Sequence, residues 1–180
     1  MTITPIGDGL DGGIVRELAR KPPEPHPKVV EFPAWPREQR VGRRLWRLDA
    51  PYRVEYEMDG ERYRLTVPAG FLYDGASVPR FVWSILAADK LHKASVPHDF
   101  AYEVGGVMPL GSWQWIDERG VWRDVPHDMT RKHSDRLLRL MARKDDEGPR
   151  TGAGARAAYR GVRWFGGSSW GPKPPRKVEQ

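Results

Sequence analysis

"YRVEYEMDGERYRLTV", residues 52–67, is the stretch that decides the fold. Tyr52, Val54, Tyr56 and Met58 alternate with Arg53, Glu55 and Glu57. That period of two predicts a strand with one buried face. Asp59-Gly60 is the dipeptide of a tight hairpin turn, whose central residues need positive φ, and "RYRLTV" returns as the second strand. A third short strand or loop, "GFLYD", follows the break at Pro68-Ala69-Gly70.

Downstream of the hairpin the pattern turns helical. "SVPRFVWSILAA" predicts a short helix, with Ser77 as cap and Pro79 in the first turn. "PHDFAYEV" predicts a second, again with a proline, Pro97, in its first turn. "WQWIDERGVW" reads as a surface hairpin inserted after it. In "TRKHSDRLLRLMARK", Leu138, Met141 and Ala142 share a face, and "EGP" ends the helix. "GARAAYRGVRWFGG" gives a last amphipathic helix. The expected fold class is therefore α+β: an N-terminal β hairpin or small antiparallel sheet, then three to four helices, with an antiparallel helix pair carrying the site.

Residues 1–42 are read as an extended arm, since "KPPEPHPKVVEFPAWP" holds six prolines. Residues 43–166 are expected to form a single domain, and residues 167–180 a disordered basic tail. The chain of 180 residues is 39% apolar with eight tryptophans, which is enough for a real core. It has no cysteine, which excludes disulfides, thiolate metal sites and cysteine nucleophiles. No apolar run reaches the roughly 20 residues of a membrane span, and the N-terminus lacks a signal-peptide pattern. The net charge of +6 sits mostly on the two flanks, so it gives no strong nucleic-acid signal.

"PHDFAY" at 97–102 places His98 beside Asp99, with Tyr102 four residues after the histidine. Adjacent helical side chains diverge by roughly 100°, so His98 and Asp99 face different partners. Asp135 in "KHSDRLLRL" lies three residues before Leu138, on or beside the apolar face of its helix. An interior carboxylate needs a cation or donors, and His98 is the natural partner. Asp135 would fix the imidazole tautomer and leave the other nitrogen to take a proton from water. Tyr102, on the same face, would support Asp135 or the histidine. Asp99 would face the "YDGAS" loop, where Asp74 and backbone carbonyls near Gly75 complete a set of hard oxygen ligands suited to calcium. The other reading of the same residues is structural, a buried histidine bridged to a carboxylate to tie two helices together.

The remaining features take simpler readings. His133 is expected to be exposed on the first turn of its helix, and His92 lies in a loop without partners at ligand spacing. Arg136, Arg139 and Arg143 form one stripe and Arg156, Arg160 and Arg163 another, each the solvated face of an amphipathic helix. Trp83 and Trp164 are read as core. Trp113, Trp115 and Trp122 cluster on the hairpin insert, where they either pack or mark a contact surface.

The site pattern resembles that of the small prokaryotic phospholipases A2, which have an Asp-Gly-Cys-Ser-like loop before a helix carrying His-Asp-Phe-Gly-Tyr. A later helix in those enzymes carries an aspartate that orients the histidine. That resemblance implies His98 as general base, Asp135 as its partner, and Asp99 and Asp74 as calcium ligands. The chain departs from it in having Ala76 in place of the loop cysteine, a hairpin between the helices, and a β hairpin at 52–67 without a counterpart.

A longer stretch, "VPAGFLYDGASVPRFVW…PHDFAYEVGG…KHSDRLLRLM…GARAAYRGVRWFG", resembles a family of uncharacterised bacteriophage and prophage proteins, the domain of unknown function 1353. It implies a phage or prophage gene located in the host cytoplasm or the assembled virion. Two functions follow as expectations, beside the further option of an intracellular phage effector that binds a host protein. One is a phospholipase A2-like hydrolase acting on a lipid or cell-envelope ester. The other is a non-catalytic virion or assembly protein, with other phage proteins as partners, whose Pro-rich arm binds neighbouring subunits.

Overall fold

The computed structural model describes residues 27–31, 34–42, 45–74, 88–142, 156, 159–164 and 166–172. The decisive hairpin is present as read. Strand β4, Tyr52–Met58, pairs antiparallel with β5, Glu61–Val67, in the register Tyr52↔Val67 to Met58↔Glu61. Asp59 and Gly60 take φ of 56° and 85° at the turn. Tyr52, Val54, Tyr56 and Met58 are buried, as are Leu65 and Val67 across from them, so the period of two does select the core face.

The sheet is larger than the sequence suggested. Strand β1, Lys28–Glu31, pairs with β4 on one side. Strands β7, Trp113–Ile116, and β8, Trp122–Asp124, extend the sheet beyond β5. The order is β1-β4-β5-β7-β8. A second sheet, β2-β3-β6, joins Glu38–Arg40, Trp46–Leu48 and Leu72–Tyr73.

This overturns the expectation of a small sheet followed by three to four helices. The described residues form eight mostly antiparallel strands in two sheets. Helix α1, Ala88–Glu103, helix α2, Arg131–Met141, and a 3₁₀ turn, Gly167–Ser169, accompany them. Two misread segments account for the change. Proline spacing keeps Lys28–Glu31 and Glu38–Arg40 extended, and extended chain can pair at a sheet edge, which is where prolines are tolerated. The "WQWI" hairpin returns to the sheet because Trp113 has a place in the core at 3% exposure.

Helix α1 also differs from expectation. It begins more than two turns before Pro97, which therefore sits inside it. An interior proline removes one backbone hydrogen bond and crowds the preceding turn. Residues 94–102 are all buried, and the packing of a helix enclosed on every side outweighs that local cost. The helix predicted from Ser77 lies outside the described residues, as does Trp83. Helix α2 forms where the sequence placed it, capped by Thr130, whose hydroxyl accepts from the His133 N–H at 3.1 Å. Leu137, Leu138, Leu140 and Met141 face the core. Helix α1 packs on α2 and against β4 and β5, so the two helices lie over one face of the large sheet.

Candidate active site

The contact between α1 and α2 brings four of the predicted site residues together. His98 Nε2 lies 3.2 Å from Asp135 Oδ1. The Tyr102 hydroxyl donates to the same oxygen at 2.6 Å. The His98 and Tyr102 rings are in contact, with centroids 4.2 Å apart. Asp135 is fully buried, and His98, Asp99 and Tyr102 are at most 2% exposed. The helical spacing of four between His98 and Tyr102 puts both on the face that meets α2.

Among the described residues, His98 Nδ1 has no hydrogen-bond partner, and neither carboxylate oxygen of Asp99 has one. The two groups face each other at 3.7 Å, beyond hydrogen-bond reach. A buried carboxylate needs donors or a cation to offset its desolvation. Its unsatisfied oxygens fit a hard cation, which prefers oxygen ligands.

The electrostatics follow from burial and these neighbours. Burial disfavours the imidazolium of His98, but the two flanking carboxylates outweigh it and the pKa is raised. Burial pushes the Asp135 carboxyl up, yet hydrogen bonds from His98 and Tyr102, the His98 charge and Arg163 together bring its pKa below the usual value. Burial, and then the adjacent Asp135, raise the Tyr102 pKa, so its hydroxyl stays a donor.

The expected calcium loop is less complete. Asp74 directly follows β6 and is half-buried. Gly75 lies outside the described residues. Among the described residues no three His, Asp or Glu side chains converge as a metal cage, so Asp74 and Asp99 are not joined there by a third such ligand.

Sequence reasoning missed three groups. Arg163, read as part of a solvated stripe, donates to Asp135 Oδ2 at 3.1 Å. Arg131 approaches the same oxygen at 3.9 Å, and its spacing of four from Asp135 was a legible signal. His92 lies in α1, not in a loop: its Nε2 is 2.8 Å from Glu38 Oε1, and the Tyr73 hydroxyl donates to the other Glu38 oxygen. Trp35 stacks on the His92 ring at 5.7 Å. This cluster ties β2 and β6 of the small sheet to α1.

His133 is also not an exposed residue. Its ring meets Tyr56, Tyr63 and Trp113. Burial, and then the nearby Arg136, lower its pKa to about 4. Trp113 Nε1 donates to the Tyr56 hydroxyl at 3.1 Å, which leaves Tyr56 to donate to His133 Nε2 at 2.8 Å. Trp164 is 77% exposed, because Val162 and Arg163 take the inward positions of its helical segment.

Residues 46–158, from β3 through α2 and so including His98, Asp99, Tyr102 and Asp135, match the family model described as protein of unknown function, DUF1353. The chain belongs to the DUF1353 family. No curated protein and no solved structure gives a significant match. In this DUF1353 protein the matched region thus holds the buried His–Asp–Tyr set, while Arg163 and the 3₁₀ turn lie beyond it.

Proposed function

We propose that this DUF1353 protein is a phage-encoded ester hydrolase of phospholipase A2-like chemistry, with His98 as general base. The observation that carries the reading is the contrast between the two imidazole nitrogens: Nε2 lies 3.2 Å from Asp135, and among the described residues Nδ1 makes no hydrogen bond, with Asp99 Oδ1 3.7 Å away. A base needs one nitrogen anchored and the other available.

Asp135 accepts the Nε2 hydrogen and fixes the tautomer, so Nδ1 carries the lone pair. Nδ1 takes a proton from a water as its oxygen attacks the ester carbonyl carbon. The resulting imidazolium, stabilised by Asp135, returns that proton to the leaving alkoxide as the carbonyl re-forms. Tyr102 holds Asp135 in place through the 2.6 Å bond. Asp99, with Asp74 and the Gly75 backbone as further ligands, would hold calcium. When bound, calcium supplies positive charge to polarise the ester carbonyl and stabilise its oxyanion.

The burial of His98, at 1% exposure, favours a second reading. An imidazolium between Asp135 and Asp99 would be a structural bridge in a non-catalytic virion or assembly protein. One experiment separates them. Fatty-acid release from phosphatidylcholine vesicles is measured for the wild type and for His98→Ala, with calcium and with chelator. The hydrolase reading expects calcium-dependent release that His98→Ala abolishes without unfolding the protein. No release by the wild type, together with a stability loss in His98→Ala, supports the bridge.

A further inference from the structure

We propose that Arg163 is a positioning residue, delivered to the site by a C-terminal strap formed by residues 159–164 and 166–172. The catalytic consequence rests on the hydrolase reading above; the geometric one does not.

The strap meets the site at several points. Arg163 Nη1 donates to Asp135 Oδ2 at 3.1 Å, and Arg131 Nη2 donates to the Arg163 carbonyl at 2.8 Å. Trp170 sets its ring edge against Tyr102, with centroids 4.9 Å apart at 88°. The Gly171 N–H donates to the Tyr102 carbonyl at 3.2 Å. Val104 and Pro172 form an isolated β-bridge. The two segments approach so closely that a Cβ at Gly105 would lie 2.9 Å from the Gly171 Cα. One at Gly166 would lie 2.5 Å from the Val162 carbonyl oxygen and 2.8 Å from the Tyr102 hydroxyl.

This arrangement divides the labour of the Asp135 carboxylate. Oδ1 accepts from Tyr102 and His98, while Oδ2 accepts from Arg163. A carboxylate held at only one oxygen can rotate about its bond to Cβ. Occupation of Oδ2 by a charged donor fixes the plane and keeps Oδ1 aimed at the imidazole. Arg163 also supplies countercharge to a fully buried acid, so the acid does not depend on His98 alone for its neutralisation.

The test uses the full chain. The hydrogen-bonded imidazole N–H proton of His98 is followed by proton NMR and assigned by its loss in His98→Gln. Arg163→Ala is expected to broaden or shift that resonance through faster exchange, and Arg163→Lys to retain it. If Arg163→Ala does not fold, Arg163→Gln replaces it with the same expectation. With phosphatidylcholine vesicles, kcat should fall about 10- to 100-fold in the Ala variant, with KM unchanged and the Lys variant largely restored. A folded Arg163→Ala or Arg163→Gln protein whose imidazole resonance and exchange match the wild type overturns the proposal. If the wild type releases no fatty acid, the hydrolase reading fails, and the resonance still decides the role of Arg163.

Discussion

Tyr102 and His98 share one oxygen: the Tyr102 hydroxyl donates to Asp135 Oδ1 at 2.6 Å, and His98 Nε2 lies 3.2 Å from the same atom. The shorter bond comes from the neutral phenol and the longer one from the imidazole. Tyr102→Phe removes the shorter bond without changing the ring that packs on Trp170. A hydrogen bond to a buried charge contributes about 1.5–3 kcal/mol, so the variant should lose stability in that range. Urea unfolding measures it. A loss of a few tenths of a kcal/mol would mean that Arg163 and His98 alone satisfy Asp135.

Asp99 offers a sharper contrast, because its oxygens are buried and, among the described residues, accept no hydrogen bond. Removing a buried carboxylate that accepts no hydrogen bond among the described residues, its contact with His98 Nδ1 being 3.7 Å long, relieves a desolvation cost. In chelator, Asp99→Asn should therefore melt at the same temperature as the wild type or higher. Added calcium should raise the melting temperature of the wild type, by linkage to the folded form, and leave Asp99→Asn unchanged. An Asn variant that melts lower than the wild type in chelator would identify Asp99 as the counter-ion of a protonated His98.

How far these residues were legible in the sequence depends on the range of the signal. Tyr52 to Val67 could be read as a hairpin because alternation and an Asp-Gly turn are local. Asp135 could be placed near His98 because an acid on an apolar face demands a partner. β1 could not be seen: "KVVE" is short, and its partner β4 is more than twenty residues away. Pro97 misdirected the start of α1, since a proline at the first turn is the usual pattern and burial on all sides is not visible locally. Arg163 was hidden in a stripe whose periodicity shows which residues share a face but not what that face meets.

His133 gives a pH prediction with a definite sign. Its folded pKa is lowered to about 4, below an unfolded value of about 6.5. The unfolded state therefore binds a proton first as the pH falls. The stability contribution is complete above pH 6.5 and is lost between pH 6.5 and about 4, by at most about 3 kcal/mol. His133→Phe keeps a ring among Tyr56, Tyr63 and Trp113 but cannot titrate. Its stability should decline less steeply over that window, whatever its absolute level. Parallel profiles by chemical denaturation would show that the ring protonates in the folded state without cost.

Asp59 and Gly60 make the last comparison, within the turn that decides the fold. Both have positive φ, 56° and 85°, a region that costs an L-residue roughly 1–2 kcal/mol. Nothing lies within 4 Å of a Cβ at Gly60, so Gly60→Ala should lose about 1–2 kcal/mol from backbone conformation alone. Asp59→Gly relieves the same strain at its own position but removes a bidentate pair with Arg136, at 2.6 and 2.7 Å. The Asp59 side chain is 59% exposed, and an exposed pair contributes about 0–1 kcal/mol. The two effects offset, so Asp59→Gly should stay within about 1 kcal/mol of the wild type. Measured in urea at low and high salt, Gly60→Ala should show a salt-independent deficit. A large salt-sensitive deficit in Asp59→Gly would instead make the Arg136 pair the feature that holds the hairpin to α2.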